Sequence, residues 1–159
     1  MTKKNIYIFS GAIGSGKTTA LVNWSAARKD VHGILTPRVM NKRVFMDAKS
    51  REQFAMEAFT EDRTILKVGH FIFSYDAFLK ASNIIRDAIE KRNWLIIDEI
   101  GPLELRNEGF ATVLNEVIHS SNNEQNILLV VREGLSQEVK NAFEINNAVV
   151  ITDINKIQG

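Results

Sequence analysis

Gly11-Ala12-Ile13-Gly14-Ser15-Gly16-Lys17-Thr18-Thr19 is the stretch that decides how the rest of the chain is read. From Gly11 to Thr18 it matches the pattern G-x-x-x-x-G-K-[ST]. Ile6-Tyr7-Ile8-Phe9, a β-prone run, stands before it. After it, Ala20, Leu21, Trp24 and Ala27 recur at spacings of three and four, as on a helix. The order is therefore strand, glycine loop, helix, the context that phosphate binding requires. Glycines let the backbone take positive φ and turn its N–H groups toward phosphate oxygens. A helix starting near Gly16 aims its unpaired N–H groups at the same anion. Lys17 is expected on the β- and γ-phosphates of a nucleotide, with a share in catalysis, and the Thr18 hydroxyl on magnesium. All nine residues from Gly11 to Thr19 are expected at the phosphates.

The second anchor is Trp94-Leu95-Ile96-Ile97-Asp98-Glu99. An unbroken apolar run suits a strand buried on both faces of a parallel sheet. Two carboxylates at its C-terminal end fall on the sheet edge where ligands bind. Asp98 is expected to hold magnesium, directly or through water, and Glu99 to accept a proton from attacking water. A solvated strand end also commonly carries acidic residues. The pairing with the phosphate loop favours the functional reading.

Between and beyond these anchors, the pattern alternates. Phe78, Ala81, Ile84, Ile85, Ala88 and Ile89 form one apolar helical stripe reaching Arg92. A helix through Phe110, Val113, Leu114, Val117 and Ile118 follows the acidic strand. Then come strand 127–131, helix 135–143 and strand 148–152. Alternation of this kind predicts a mostly parallel sheet flanked by helices. Residues 32–75 read instead as a β-rich insertion after the first helix. It holds a hairpin turning at Asn41-Lys42 and a second pair, 64–68 and 71–75, across Gly69-His70. The whole of 1–159 is expected to be one domain.

Composition narrows the function. Twenty basic residues against nineteen acidic give a net charge of +1, with no footprint for nucleic acid or a membrane surface. The absence of cysteine removes disulfides, zinc thiolates and iron–sulfur clusters. No apolar run approaches the roughly 20 residues of a spanning helix, and the first residues lack a secretory pattern. A cytoplasmic protein is expected; its protein partners are unknown. The guanine-reading pattern N-K-x-D is not met, because Asn155-Lys156-Ile157-Gln158 has Gln in the last place.

The phosphate loop, the block Asp98-Glu99-Ile100-Gly101-Pro102-Leu103-Glu104 with Phe110 downstream, and the ending Val150-Ile151-Thr152-Asp153-Ile154-Asn155 together resemble the THEP-type P-loop nucleoside-triphosphatases. Gly33-Ile34-Leu35-Thr36 is similar to a strand of that family, with its Val-Arg pair reversed here as Arg38-Val39. Pro102 and Leu103 stand where the family often has Lys and Met, and Pro37 interrupts its usual acidic stretch. The resemblance implies a compact three-layer P-loop NTPase fold that hydrolyses several nucleoside triphosphates slowly, with magnesium.

Weaker candidates complete the site. Glu104 ends the D-E-I-G-x-x-E block and is a candidate for steadying the loop or the water, or an ordinary surface glutamate. Arg132, directly after strand 127–131, is the preferred cation for transition-state charge; Arg38 and Arg106 are the alternatives, and a solvated arginine is the bland reading for each. His32, His70 and His119 show no metal-ligand spacing. Trp24 and Trp94 read as packing residues. The main expectation is a magnesium-dependent nucleoside-triphosphatase with broad base tolerance. A small-molecule or nucleotide kinase, with its acceptor pocket in 37–75, is the alternative, and a nucleotide-gated binding module is a third.

Overall fold

Long apolar runs settle in the middle of a sheet because only there are both of their faces covered. In the computed structural model, which describes residues 4–11, 14–58, 65–69 and 71–157, the chain begins with β1 (Asn5–Gly11), α1 (Lys17–Ala26), β2 (Val31–Leu35), β3 (Arg38–Val39) and β4 (Lys42–Asp47). It continues through β5 (Gln53–Ala55), β6 (Ile65–Val68), β7 (Phe71–Ser74), α2 (Tyr75–Asp87), β8 (Asn93–Ile100) and α3 (Pro102–Leu105). The last elements are α4 (Ala111–His119), β9 (Gln125–Arg132), α5 (Ser136–Ala142), β10 (Val149–Ile151) and a closing 3-10 turn, Ile154–Lys156.

The main sheet runs in the order β10-β1-β9-β8-β2-β4-β3, with β5 paired to β4. Pairings among β10, β1, β9, β8 and β2 are parallel, and those of β4 with β2, β3 and β5 are antiparallel. Successive side chains of the central strands point to opposite faces and so enter two cores. Ile127, Leu129 and Val131 join Ile8, Leu95 and Ile97 beneath α2, α4 and α5. Leu128 and Val130 join Phe9, Trp94 and Ile96 beneath Leu21 of α1 and Ile154 of the closing turn. Full burial of each such side chain contributes about 1.5–3 kcal/mol. The result is the expected helix–sheet–helix sandwich.

The β-rich segment follows α1, as expected, although β2 at its start is itself a central parallel strand beside β8. Gly33 allows that pairing. Its φ is +113°, and a Cβ there would lie 2.0 Å from the Ile96 carbonyl oxygen. The first hairpin turns one residue earlier than the sequence pattern suggested, at Met40-Asn41 rather than Asn41-Lys42. Val39 pairs with Lys42, and the two turn residues have φ of 52° and 65°. Positive φ at both centres is what a tight two-residue turn needs to match strand twist. In the second hairpin, β6 and β7 pair from Ile65↔Ser74 to Val68↔Phe71; Thr64 and His70 lie outside the described residues. Tyr75 belongs to α2 and not to the strand, because the Ser74 hydroxyl caps that helix by accepting from Ala77 N at 3.2 Å. The same helix ends at Asp87, short of Arg92. No sequence signal had marked β5 or α3. Among the described residues, no helix is long and apolar enough to cross a membrane.

Candidate active site

Strand β1 ends at Gly11, and the chain re-enters regular structure at Lys17. Gly14 and Gly16 take φ of 76° and 84°, a region that side chains disfavour. Space is not the issue there, since a Cβ on either glycine would meet nothing within 4 Å. The helical ladder starts with Ala20 N donating to Gly16 O at 2.9 Å. No side chain caps this end of α1, so its first-turn N–H groups remain available to an anion. Lys17 reaches back across the loop, and its Nζ donates to Gly11 O at 2.7 Å. Ala12 and Ile13 lie outside the described residues.

Strand β8 brings its carboxylates to this loop. Thr18 Oγ1 donates to Asp98 Oδ2 at 2.9 Å, and the Thr36 N–H donates to the same oxygen at 3.1 Å. Asp98 is 1% exposed. Burial raises its carboxyl above the usual carboxylate range, against the hydrogen bonds from Thr36 and Thr18. Its Oδ1 and the nearby Thr36 Oγ1 have no hydrogen-bond partner among the described residues. An unsatisfied buried oxygen of this kind costs free energy. A hard divalent cation takes such oxygens, and magnesium in particular keeps waters and phosphate oxygens in its shell and needs few protein ligands. The donors present, Thr18 and Asp98, suit magnesium.

Glu99 is half-buried. At this point the register of β8 against β9 slips, with Asp98 opposite Val130 and Ile100 opposite Val131. Burial raises the Glu99 carboxyl and the Asp98 charge raises it further, while Arg43, Arg132 and Lys17 pull it down. Three cations from three separate elements therefore act on one carboxylate. Arg132 is half-buried at the end of β9, in register with Gly11. Arg43 is the residue that sequence reasoning missed. The hairpin register Arg38↔Arg43 places both arginines on one face, and a turn at Asn41-Lys42 does not give that pairing.

Glu104 is buried, 3% exposed, and is no surface residue. Its Oε1 accepts from Gly101 N at 2.8 Å and its Oε2 from Phe110 N at 2.9 Å. The carboxylate thus ties both ends of the loop that follows β8. Burial pushes its carboxyl up to about 7, with the Phe110 and Gly101 N–H groups opposing. Arg106 is occupied elsewhere: it pairs with Glu108 at 3.1 Å and donates to the Lys67 carbonyl. His119 is exposed and bonded to Asn115 O, and His32 is half-buried on β2. His70 lies outside the described residues. Trp24 packs edge-on against Trp94 at 5.3 Å with Arg28 over its ring, as packing residues do.

A cleft of about 540 Å³ gathers most of these groups. Gly14 to Thr19, Glu99, Glu104, Arg38, Arg43 and Arg132 all line it. Its far side is apolar, built from Met56, Val68, Phe71, Phe73, Phe78, Leu103 and Phe110.

The family model described as NTPase matches residues 5–158 of the chain. Among curated proteins, none matches the sequence. Two solved structures resemble the fold. One is THEP1 from the hyperthermophile Aquifex aeolicus, at 22% identity and a TM-score of 0.68, covering 92% of this chain and 88% of that one. The other is a human cancer-related nucleoside triphosphatase, at 18% identity and a TM-score of 0.68, covering 96% of this chain and 89% of that one. The resemblance read from the loop and the acidic block is thereby borne out.

Proposed function

This chain belongs to the NTPase family, and from that premise we propose that it is a magnesium-dependent nucleoside-triphosphatase that splits NTP into NDP and phosphate with little regard for the base. The observation that carries this reading is that Lys17, Arg43, Arg132 and Glu99 line one cleft, beside the Thr18–Asp98 pair. In the proposed reaction, the loop N–H groups and Lys17 hold the β- and γ-phosphates. Thr18 and Asp98 hold magnesium, which when bound supplies positive charge at the phosphate oxygens. Glu99 orients a water and takes its proton as the water oxygen bonds to the γ-phosphorus and the bond to the departing diphosphate breaks. Arg132 and Arg43 stabilise charge on the transferring group. Glu104 acts through the backbone, holding the 101–110 loop in place. No side chain of this set reads a base, and the broad specificity follows from that.

The test is phosphate release from ATP, GTP, CTP and UTP, each with magnesium and with EDTA. Release from all four that stops with EDTA is expected. No release from any of them in the presence of magnesium would overturn the reading. One observation favours a second reading, phosphoryl transfer to a small acceptor: Met56, Val68, Phe71 and Phe73 give the cleft an apolar lining that neither water nor phosphate uses.

A further inference from the structure

The apolar side of the cleft is poor company for phosphate, yet it opens directly onto the phosphate loop. A polyphosphate chain gains nothing from a phenylalanine wall, and a water occupies only about 30 Å³. Phe71 and Phe73 are stacked with their planes 3° apart and centroids at 5.9 Å. Phe71 is nonetheless 48% exposed at the rim, which leaves ring surface for another planar group to cover. Arg38 and Arg43 line the same cleft and face each other directly across the β3–β4 hairpin. Like charges in that relation destabilise a hairpin. Among the described residues, neither arginine has a carboxylate within 4.0 Å, although Arg43 also acts on Glu99 at longer range. An anion held between two guanidiniums removes the repulsion and gains charge-assisted hydrogen bonds.

We propose that this half of the cleft binds a second ligand of the nucleoside monophosphate class, with its ring on the Phe71–Phe73 wall and its phosphate at Arg38 and Arg43. The proposal rests on the reading that the loop holds the triphosphate, and it stands whether water or the second ligand receives the phosphoryl group. The triphosphate's own nucleoside has another place to go. A second cavity of about 250 Å³ shares Ser15, Gly16 and Lys17 with the cleft and is lined also by residues 152–155 after β10.

Calorimetry on the full chain saturated with magnesium and a non-hydrolysable ATP analogue tests this. AMP, GMP, CMP and UMP are titrated in turn, with the bare nucleosides and inorganic phosphate as controls. The expected result is one monophosphate bound per loaded chain, with the nucleosides and phosphate each binding more weakly. Phe71→Ala, a change at an exposed residue, is expected to weaken monophosphate binding about tenfold or more, as loss of a stacking ring does. Arg38→Gln is expected to weaken it similarly. Analogue binding is expected to stay within about twofold in both variants. Two results overturn the proposal: no monophosphate binding to the loaded chain, or Phe71→Ala weakening the analogue itself, which would assign the wall to the triphosphate's own base. Failure of the analogue to bind the unmodified chain is a separate result and refutes the loop reading instead.

Discussion

The parallel half of the sheet and the antiparallel segment beside it solve different problems with the same chain. In β1, β8 and β9 every side chain from Ile8 to Phe9, Trp94 to Asp98 and Ile127 to Val131 is buried. Their pairing extends through seven residues in β1 against β9. Strands β3, β5, β6 and β7 are two to four residues long and half exposed. The first half carries Asp98 and Glu99 at a buried strand end beside the phosphate loop, and the second, with β4, adds an aromatic wall and two arginines to the same cleft. Reaction chemistry on this reading belongs to the buried half and the choice of ligand to the exposed one. Exposed short strands tolerate substitution more readily than a doubly covered sheet.

That division is open to direct attack, and the strongest blow falls on Glu99. Glu99→Gln keeps the shape and removes the base, so single-turnover ATP hydrolysis is expected to fall about 10²–10⁴-fold with equilibrium binding nearly intact. Hydrolysis at the unmodified rate would move water activation away from the buried half altogether. Lys17→Ala comes next. ATP with magnesium at 100 times its dissociation constant is expected to stabilise the unmodified protein by about 2.7 kcal/mol, and thermal melts of the variant are expected to lose most of that gain. An equal gain in the variant would mean that the nucleotide sits elsewhere.

Glu104 tests the loop that joins the two halves. Its carboxyl rises from 4.5 to about 7 on folding. Between those values the unfolded chain has released the proton that the folded chain still holds, so stability falls as pH rises through that window. The contribution is present in full below the lower value and is on the order of 3 kcal/mol. Melts of Glu104→Gln across the same range are expected to show a flatter dependence on pH, though a lower stability overall from the lost acceptor. An unchanged slope would assign the titration to another group.

Among the described residues, Arg43 is the cation of the antiparallel segment that acts on Glu99. It holds Glu99 down, so Arg43→Gln is expected to raise the Glu99 carboxyl and shift the rising limb of the pH–rate profile to higher pH. The loss at neutral pH is expected to be smaller than that of Glu99→Gln and to recover as pH rises. A uniform loss at every pH would instead confine Arg43 to transition-state charge. The smallest effect expected is among bases: ATP, GTP, CTP and UTP hydrolysed within about tenfold of one another, or about 1.4 kcal/mol. A preference above about a thousandfold would place a base reader in the buried half and blur the division.

Legibility followed the same boundary. Gly11 to Thr19 and Trp94 to Glu99 announce themselves because a spacing rule or an unbroken apolar run is a local property. The β3–β4 turn was misplaced by one residue, since the pattern of the flanking strands leaves a two-residue loop free to slide until register fixes φ at Met40 and Asn41. Strand β5, Gln53–Ala55, is too short to carry any period. Glu104 was equally readable as a surface residue, because only the return of the chain at Phe110 buries it.

Sequence alone, then, determined the α/β sandwich, the phosphate loop and the acidic strand end, through periods and motifs that act over a few residues. Tertiary structure alone decided which groups meet there. Thr18 reaches Asp98 across 80 positions and the Thr36 N–H reaches it across 62, while Arg43 and Arg132 line one cleft with Glu99 from opposite sides of β8 in the sheet order. Contacts at such separations depend on strand order and register, which no local pattern encodes.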